Sequence, residues 1–152
     1  MERAAAELFR PLGLLTLTDD GAGVQSEADH ARAIANGLSL MLECNGERAG
    51  FAMGEPRDPD VYLQEIDVHP TFQSRGLGAI LLNAFIELTR ARGAASVILS
   101  TFRHVPGNAP FYAKHGFAEL PQTDYQPWMR AIEQEQAKML DLSTRLFMRR
   151  LL

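Results

Sequence analysis

A single cysteine, Cys44, stands in 152 residues, so neither an internal disulfide nor a multi-cysteine metal site can be built from this chain. Basic residues are also short: 15 Lys and Arg against 19 Asp and Glu leave a net charge of −4 and a pI near 5.5. Phosphate neutralisation along a nucleic acid needs a basic stripe, so a nucleic-acid binder is excluded and small molecules are the expected partners. No apolar run approaches membrane-spanning length, and Met1 to Leu8 alternates charges with alanines instead of presenting a signal core. The expectation is a soluble, cytoplasmic chain without membrane contact. The four histidines, His30, His69, His104 and His115, show no metal-ligand spacing, so no metal is expected. Internal repeats and low-complexity segments are missing too.

What is present is a hydrophobic content of 46 %, enough for one packed core and one domain over 1–152. Residues 2–10 read as a helix ended by Pro11 and Gly13, and 18–23 as a loop. A short helix is predicted over Glu27 to Ala35, with Gly37 just past its end. Leu38 to Cys44 and Arg48 to Met53 flank Asn45-Gly46, a dipeptide suited to the positive dihedrals of a two-residue hairpin turn. Gly54 to Asp60, with two prolines, reads as a polar loop leading to a third strand, Val61 to Val68.

Leu77, Ile80, Leu81, Ala84, Phe85 and Leu88 recur at helical spacing and predict an amphipathic helix over Gly76 to Ala91. Ser96 to Phe102 is a fourth strand. A short right-handed crossover through the helix makes it parallel to the third. A short helix over Asn108 to His115, a strand at Phe117 to Leu120, a helix over Pro127 to Leu140 and a last strand at Thr144 to Leu151 complete a mixed α/β pattern.

The stretch His69-Pro70-Thr71-Phe72-Gln73-Ser74-Arg75-Gly76-Leu77-Gly78 lies between a strand and a helix. Glycine lets backbone approach a ligand closely, and the first amides of a helix lack intrahelical partners, so an anionic phosphate fits there. Arg75 is placed to add charge. A dinucleotide fingerprint would need glycine where Leu81 stands, and a P-loop would need Lys and Ser or Thr where Ala79 and Ile80 stand. The same glycines would also serve a bare strand-to-helix turn.

Gln73 to Gly78 reads Gln, two residues, Gly, one residue, Gly. It follows Val68-His69-Pro70 and precedes Phe111-Tyr112-Ala113-Lys114-His115-Gly116-Phe117. In these motifs, over about residues 38 to 120, the chain resembles the GNAT acetyltransferase superfamily. The resemblance implies a central, mostly antiparallel mixed sheet with a splayed parallel strand pair, flanked by helices. It implies acetyl-CoA as acyl donor, with the pyrophosphate on Gln73, Ser74, Arg75, Gly76, Leu77 and Gly78, and the pantetheine and thioester along Ile66, Asp67 and Val68. It also implies a homodimer. The chain starts inside the family's first helix at Met1, so the first strand is expected to be either missing or supplied in some other way. Relatives carry a cofactor-contacting Asn seven residues before the tyrosine, where this chain has Val105; Asn108 is the nearest substitute.

Acetyl transfer to an amine needs a deprotonated nucleophile, a polarised carbonyl and a protonated leaving thiol. An alkylamine with a pKa of about 10.4 needs a general base near neutrality. Strict alternation in Val61 to Val68 puts Glu65 and Asp67 on one face with Val61 and Leu63, and Gln64, Ile66 and Val68 on the other. A carboxylate in an apolar strand is a candidate base with a raised pKa; Glu65 is the first choice, its alternatives being an exposed strand residue or an ion pair. Backbone amides can polarise the carbonyl. Tyr112 matches the family tyrosine that protonates the leaving thiolate, although a packed aromatic beside Phe111 and Phe117 would look the same. Direct attack in a ternary complex gives Cys44 no role beyond packing. His104 follows the fourth strand near where relatives place acceptor residues, and Trp128 and Met129 are candidates for an acceptor pocket or for core.

The function implied is acetylation of a primary amine on a small molecule or amino acid. Acetylation of a protein lysine or N-terminus, a non-catalytic acyl-CoA-binding domain and a purely structural homodimer are the other readings.

Overall fold

The computed structural model describes residues 25–152. The helix expected at 2–10, the loop at 18–23 and the question of a first strand lie outside them. The first element, α1 (Glu27–Ala35), is opened by a capping box in which Ser26 accepts from the Asp29 amide and Asp29 accepts from the Ser26 amide. Then come β1 (Ser39–Cys44) and β2 (Glu47–Arg57), turned through Asn45 and Gly46 with φ of 52° and 79°. Positive φ at both positions is what the Asn-Gly pair supplies cheaply. β2 runs four residues further than Met53. The segment Gly54 to Arg57 is not the expected loop but pairs along β3 (Asp60–Val68), closing a tight second hairpin at Asp58 and Pro59.

The remaining elements are α2 (Leu77–Ala91), β4 (Ser96–Phe102), α3 (Ala109–Lys114), β5 (Ala118–Glu119), α4 (Pro127–Gln136) and β6 (Arg145–Leu151). The sheet order is β1-β2-β3-β4-β6-β5, and only β3 and β4 pair in parallel. This is the mixed, mostly antiparallel sheet the motifs implied. α2 covers one face with Leu81, Leu82, Phe85 and Ile86 over Val61, Leu63, Val97 and Leu99. Its buried stripe is rotated from the expected one: Ile80 is 56 % exposed, whereas Leu82, Ile86 and Thr89 are buried. The opposite face carries α1, through Ala33 on Phe51 and Met53, and α4, through Met129 beside Tyr62, Ile98 and Phe147.

One irregularity decides the site. Met53 pairs with Glu65 and Gly54 with Leu63, so Gln64 is an extra residue in β3, a bulge. A bulge reverses alternation, and the expected partition of β3 is therefore wrong. Ile66 joins Val61 and Leu63 in the core under α2. Glu65 and Asp67 oppose Met53 and Phe51 on the other face, which also carries Tyr62. Without the bulge both carboxylates would enter the apolar core, at a large desolvation cost.

At Gly54, beside the bulge, a Cβ would lie 2.6 Å from the Tyr62 carbonyl oxygen and 2.7 Å from Phe85 Cζ. Phe85 is fully buried and has no room to retreat. Gly54→Ala is therefore expected to destabilise the fold by about 2 kcal/mol, lowering the thermal midpoint by about 4–8 °C in a calorimetric scan.

Candidate active site

β3 and β4 touch as a parallel pair only at Val61 with Val97 and Tyr62 with Ile98. Beyond Tyr62 no further pairs form. A cleft of about 1310 Å³ opens between the C-terminal halves of the two strands, lined by Leu63 to Val68 on one side and Leu99 to Phe102 on the other. α2 and α3 close one end through Gly78, Asn108, Phe111 and Tyr112, and α4 walls the other through Trp128, Ile132 and Gln136. The splay leaves β3 backbone along a cavity that a ladder would otherwise fill.

At one end of the cleft lies the glycine loop. Pro70–Phe72 forms a 3-10 turn in which His69 Nδ1 accepts from the Thr71 amide. Gln73 Nε2 donates to the Val68 carbonyl at 3.0 Å and ties the loop to the end of β3. Ser74 and Gly76 both have left-handed φ, 62° and 75°, which turn the chain into α2. Gly76 is the N-cap and offers no side-chain hydrogen bond to the helix. The first bond back to it is from the Ile80 amide at 3.3 Å, so the amides of Leu77, Gly78 and Ala79 precede the helical ladder. A Cβ at Gly78 would meet only Phe111 Cζ, at 3.9 Å, so the fold itself does not require glycine there. The space belongs to the cleft, and the loop fits a diphosphate group. Gln73, Ser74 and Gly78 line it, whereas Arg75 turns away with its guanidinium 5.5 Å from the Phe72 ring centroid.

Tyr112 is held by rings, with Phe111 at 5.2 Å and Phe117 at 5.7 Å between centroids. Burial first, and then the negative charges of Glu65 and Asp67, push its phenol well above the ordinary range, against a smaller pull from Arg145. It is a neutral phenol, not a phenolate, at neutral pH. Asn108 Oδ1 accepts from Thr101 Oγ1 at 2.8 Å, which pins the start of α3 to β4. Ile66 and Val68 line the cleft from β3, and Glu65 and Asp67 line it half-buried.

Four residues that sequence reasoning passed over complete the floor. Arg145, the first residue of β6, donates from Nη2 to Ser100 Oγ at 3.0 Å and lies 4.5 Å over the Phe102 ring. Gln136 Nε2 donates to the same Ser100 Oγ at 3.1 Å. Burial lowers the pKa of Arg145, while Tyr62, Glu65 and Tyr112 act in the opposite direction. The buried Tyr62 packs on Trp128 at 5.2 Å, and its phenol is raised mainly by burial. An arginine just before the apolar run Leu146 to Met148 was the one visible signal, and in sequence it is indistinguishable from a strand-end surface charge. Trp128 lines the cleft, but Met129 is core. His104 is exposed and outside the cleft lining, and Cys44 is half-buried in β1. Among the described residues, no group of His, Cys, Asp and Glu is arranged to hold a metal.

A parallel pair that splays apart inside an otherwise antiparallel sheet, with uncapped helix amides at the mouth of the splay, sets the class of fold. Residues 7–117 match the Acetyltransferase (GNAT) family, and the chain belongs to that family. Glucosamine 6-phosphate N-acetyltransferase of Trypanosoma brucei brucei is 31 % identical over 84 residues, 55 % of this chain and 50 % of that protein. The chain thus spans about half the length of this relative. N-acetylglutamate synthase from Neisseria gonorrhoeae, solved with coenzyme A and N-acetyl-glutamate, superposes with a TM-score of 0.71 at 18 % identity, covering 98 % of this chain and 31 % of that one. The ribosomal-protein-S18-alanine N-acetyltransferase from Escherichia coli superposes at 0.63 with 22 % identity, covering 98 % and 86 %. Among the described residues no helix is long and apolar enough to cross a membrane.

Proposed function

We propose that the chain is an N-acetyltransferase that uses acetyl-CoA to acetylate a primary amine of a small molecule or amino acid. The observation that carries this reading is the coincidence of the uncapped amides of α2 with the β3–β4 splay in a single cleft. Acetyl-CoA supplies the acyl group and leaves as the thiol, its C–S bond exchanged for a new C–N bond. The amides of Leu77, Gly78 and Ala79 receive the diphosphate, and Gln73 holds their loop against β3. Backbone at Ile66 to Val68 lies along the extended arm and donates to the acyl carbonyl. Glu65, with Asp67 beside it, takes the proton the amine sheds, and Tyr112 gives its phenolic proton to the departing sulfur. α4 walls one side of the cleft with Trp128, Ile132 and Gln136, which favours a compact acceptor over an extended peptide.

Calorimetric titration with acetyl-CoA, followed by a thiol-release assay over an amine panel, tests the reading. Saturable binding and amine-dependent release are expected, and binding without release would demote the chain to an acyl-CoA-binding module. Glu65→Gln should lower kcat/KM about 30-fold at neutral pH, since a positioned base contributes on the order of a hundredfold or more and Asp67 retains part of it. The deficit should narrow as pH rises toward the amine pKa of about 10.4, because the free-base fraction then grows without help. Parallel pH profiles for the two proteins would remove Glu65 from the role.

A further inference from the structure

Resting on the transferase reading, we infer that the acceptor is an amine that also carries a carboxylate, an amino acid or a close relative, and that Arg145 receives this carboxylate on the face of the cleft shared with Glu65 and Asp67. Among the described residues, two arginines line the cleft, and they differ in one respect. Arg57 is neutralised by Glu55, at 3.1 Å from Nε and 2.5 Å from Nη2, and it stacks 5.1 Å from the Trp128 ring centroid. Arg145 has no carboxylate of a described residue within ion-pairing distance. Its fold-internal contacts are the Ser100 hydroxyl and the Phe102 ring, and its buried Nε has no hydrogen-bond partner among the described residues. Close by, Gln136 spends its amide nitrogen on the same hydroxyl, and its buried Oε1 has no partner among the described residues.

A guanidinium withdrawn from water with an unused donor edge is unfavourable unless an anion completes it. Stacking on Phe102 and the bond to Ser100 fix the plane of the group, so its remaining edge is presented in one orientation. A planar guanidinium with a donor left over matches the oxygens of a carboxylate. A phosphate dianion is best met by a second cation, and the other described arginine of the cleft is already paired with Glu55. Arg145, Glu65 and Asp67 line the same cleft, so it offers a cation and carboxylates to one ligand. A zwitterion matches that pattern with its amine toward Glu65 and Asp67 and its carboxylate toward Arg145.

The test compares an α-amino acid, its decarboxylated amine and glucosamine 6-phosphate as acceptors, with wild type, Arg145→Gln and Arg145→Lys, after acetyl-CoA affinity has been measured for each protein. Wild type should prefer the amino acid over its decarboxylated amine by about 50-fold in kcat/KM. Arg145→Gln should bring that ratio close to one, mainly through KM, and Arg145→Lys should restore only part of it, because an ammonium lacks the planar fork. Retained acetyl-CoA affinity certifies that each variant is folded. Equal use of the decarboxylated amine by wild type, a preference for the sugar phosphate, or a ratio unchanged in Arg145→Gln would overturn this inference and leave the transferase reading standing. Failure of wild type to bind acetyl-CoA would overturn both.

Discussion

Gly76→Asp should weaken acetyl-CoA binding about 1000-fold in a calorimetric titration while leaving the protein folded. Three amides, those of Leu77, Gly78 and Ala79, precede the ladder of α2, and charge-assisted hydrogen bonds of this type contribute about 1.5 kcal/mol or more each. An aspartate at the N-cap position is a good acceptor for those same amides and carries the charge of the ligand it displaces. The fold should tolerate it: Gly76 is exposed, a Cβ there meets nothing within 4 Å, and aspartate enters the left-handed region at φ 75° at a cost of about 1 kcal/mol. Gly76→Asn has the same shape without the charge and should lose only about tenfold, which separates electrostatics from bulk. Wild-type affinity in a folded Gly76→Asp protein would mean that the anion does not sit at this helix start.

Tyr112→Phe should lower kcat about 100- to 1000-fold with the acetyl-CoA affinity within about threefold of wild type. The ring itself is held by Phe111 and Phe117, and phenylalanine fills the same volume, so packing is preserved and only the hydroxyl is lost. Burial and the charges of Glu65 and Asp67 keep the phenol above its ordinary range. Its proton is therefore present throughout the pH range in which the enzyme can be assayed, and no alkaline loss of wild-type kcat should trace to Tyr112. The measurement is kcat by thiol release beside the calorimetric Kd. Unchanged turnover at several pH values would reduce Tyr112 to a packed aromatic.

Much of the scaffold was legible because its signals are local. Asn45-Gly46 specifies a hairpin turn through the dihedrals those two residues accept, and β1 and β2 flank it as expected. α1, α2 and β4 fall within a residue of their predicted limits, because caps, glycines past helix ends and apolar periodicity are written in short windows. The second hairpin was hidden by Pro56 and Pro59. Two prolines read as a loop, yet β2 carries Pro56 within its pairing with β3. Pairing depends on the partner strand, which no local window contains.

The motif from Gln73 to Gly78, with Tyr112 further along, made the family legible, and the order strand, helix, strand made the parallel crossover legible, since each rests on residue types at fixed spacing. Tertiary structure alone decided which way the carboxylates face: the bulge at Gln64 reverses the alternation of β3 and delivers Glu65 and Asp67 to the cleft instead of the core. It also decided that Arg145, a distant strand-end residue in the chain, lies on the cleft floor with Ser100 and Gln136. Register and burial are properties of packed strands taken together, and a single strand's sequence does not encode them.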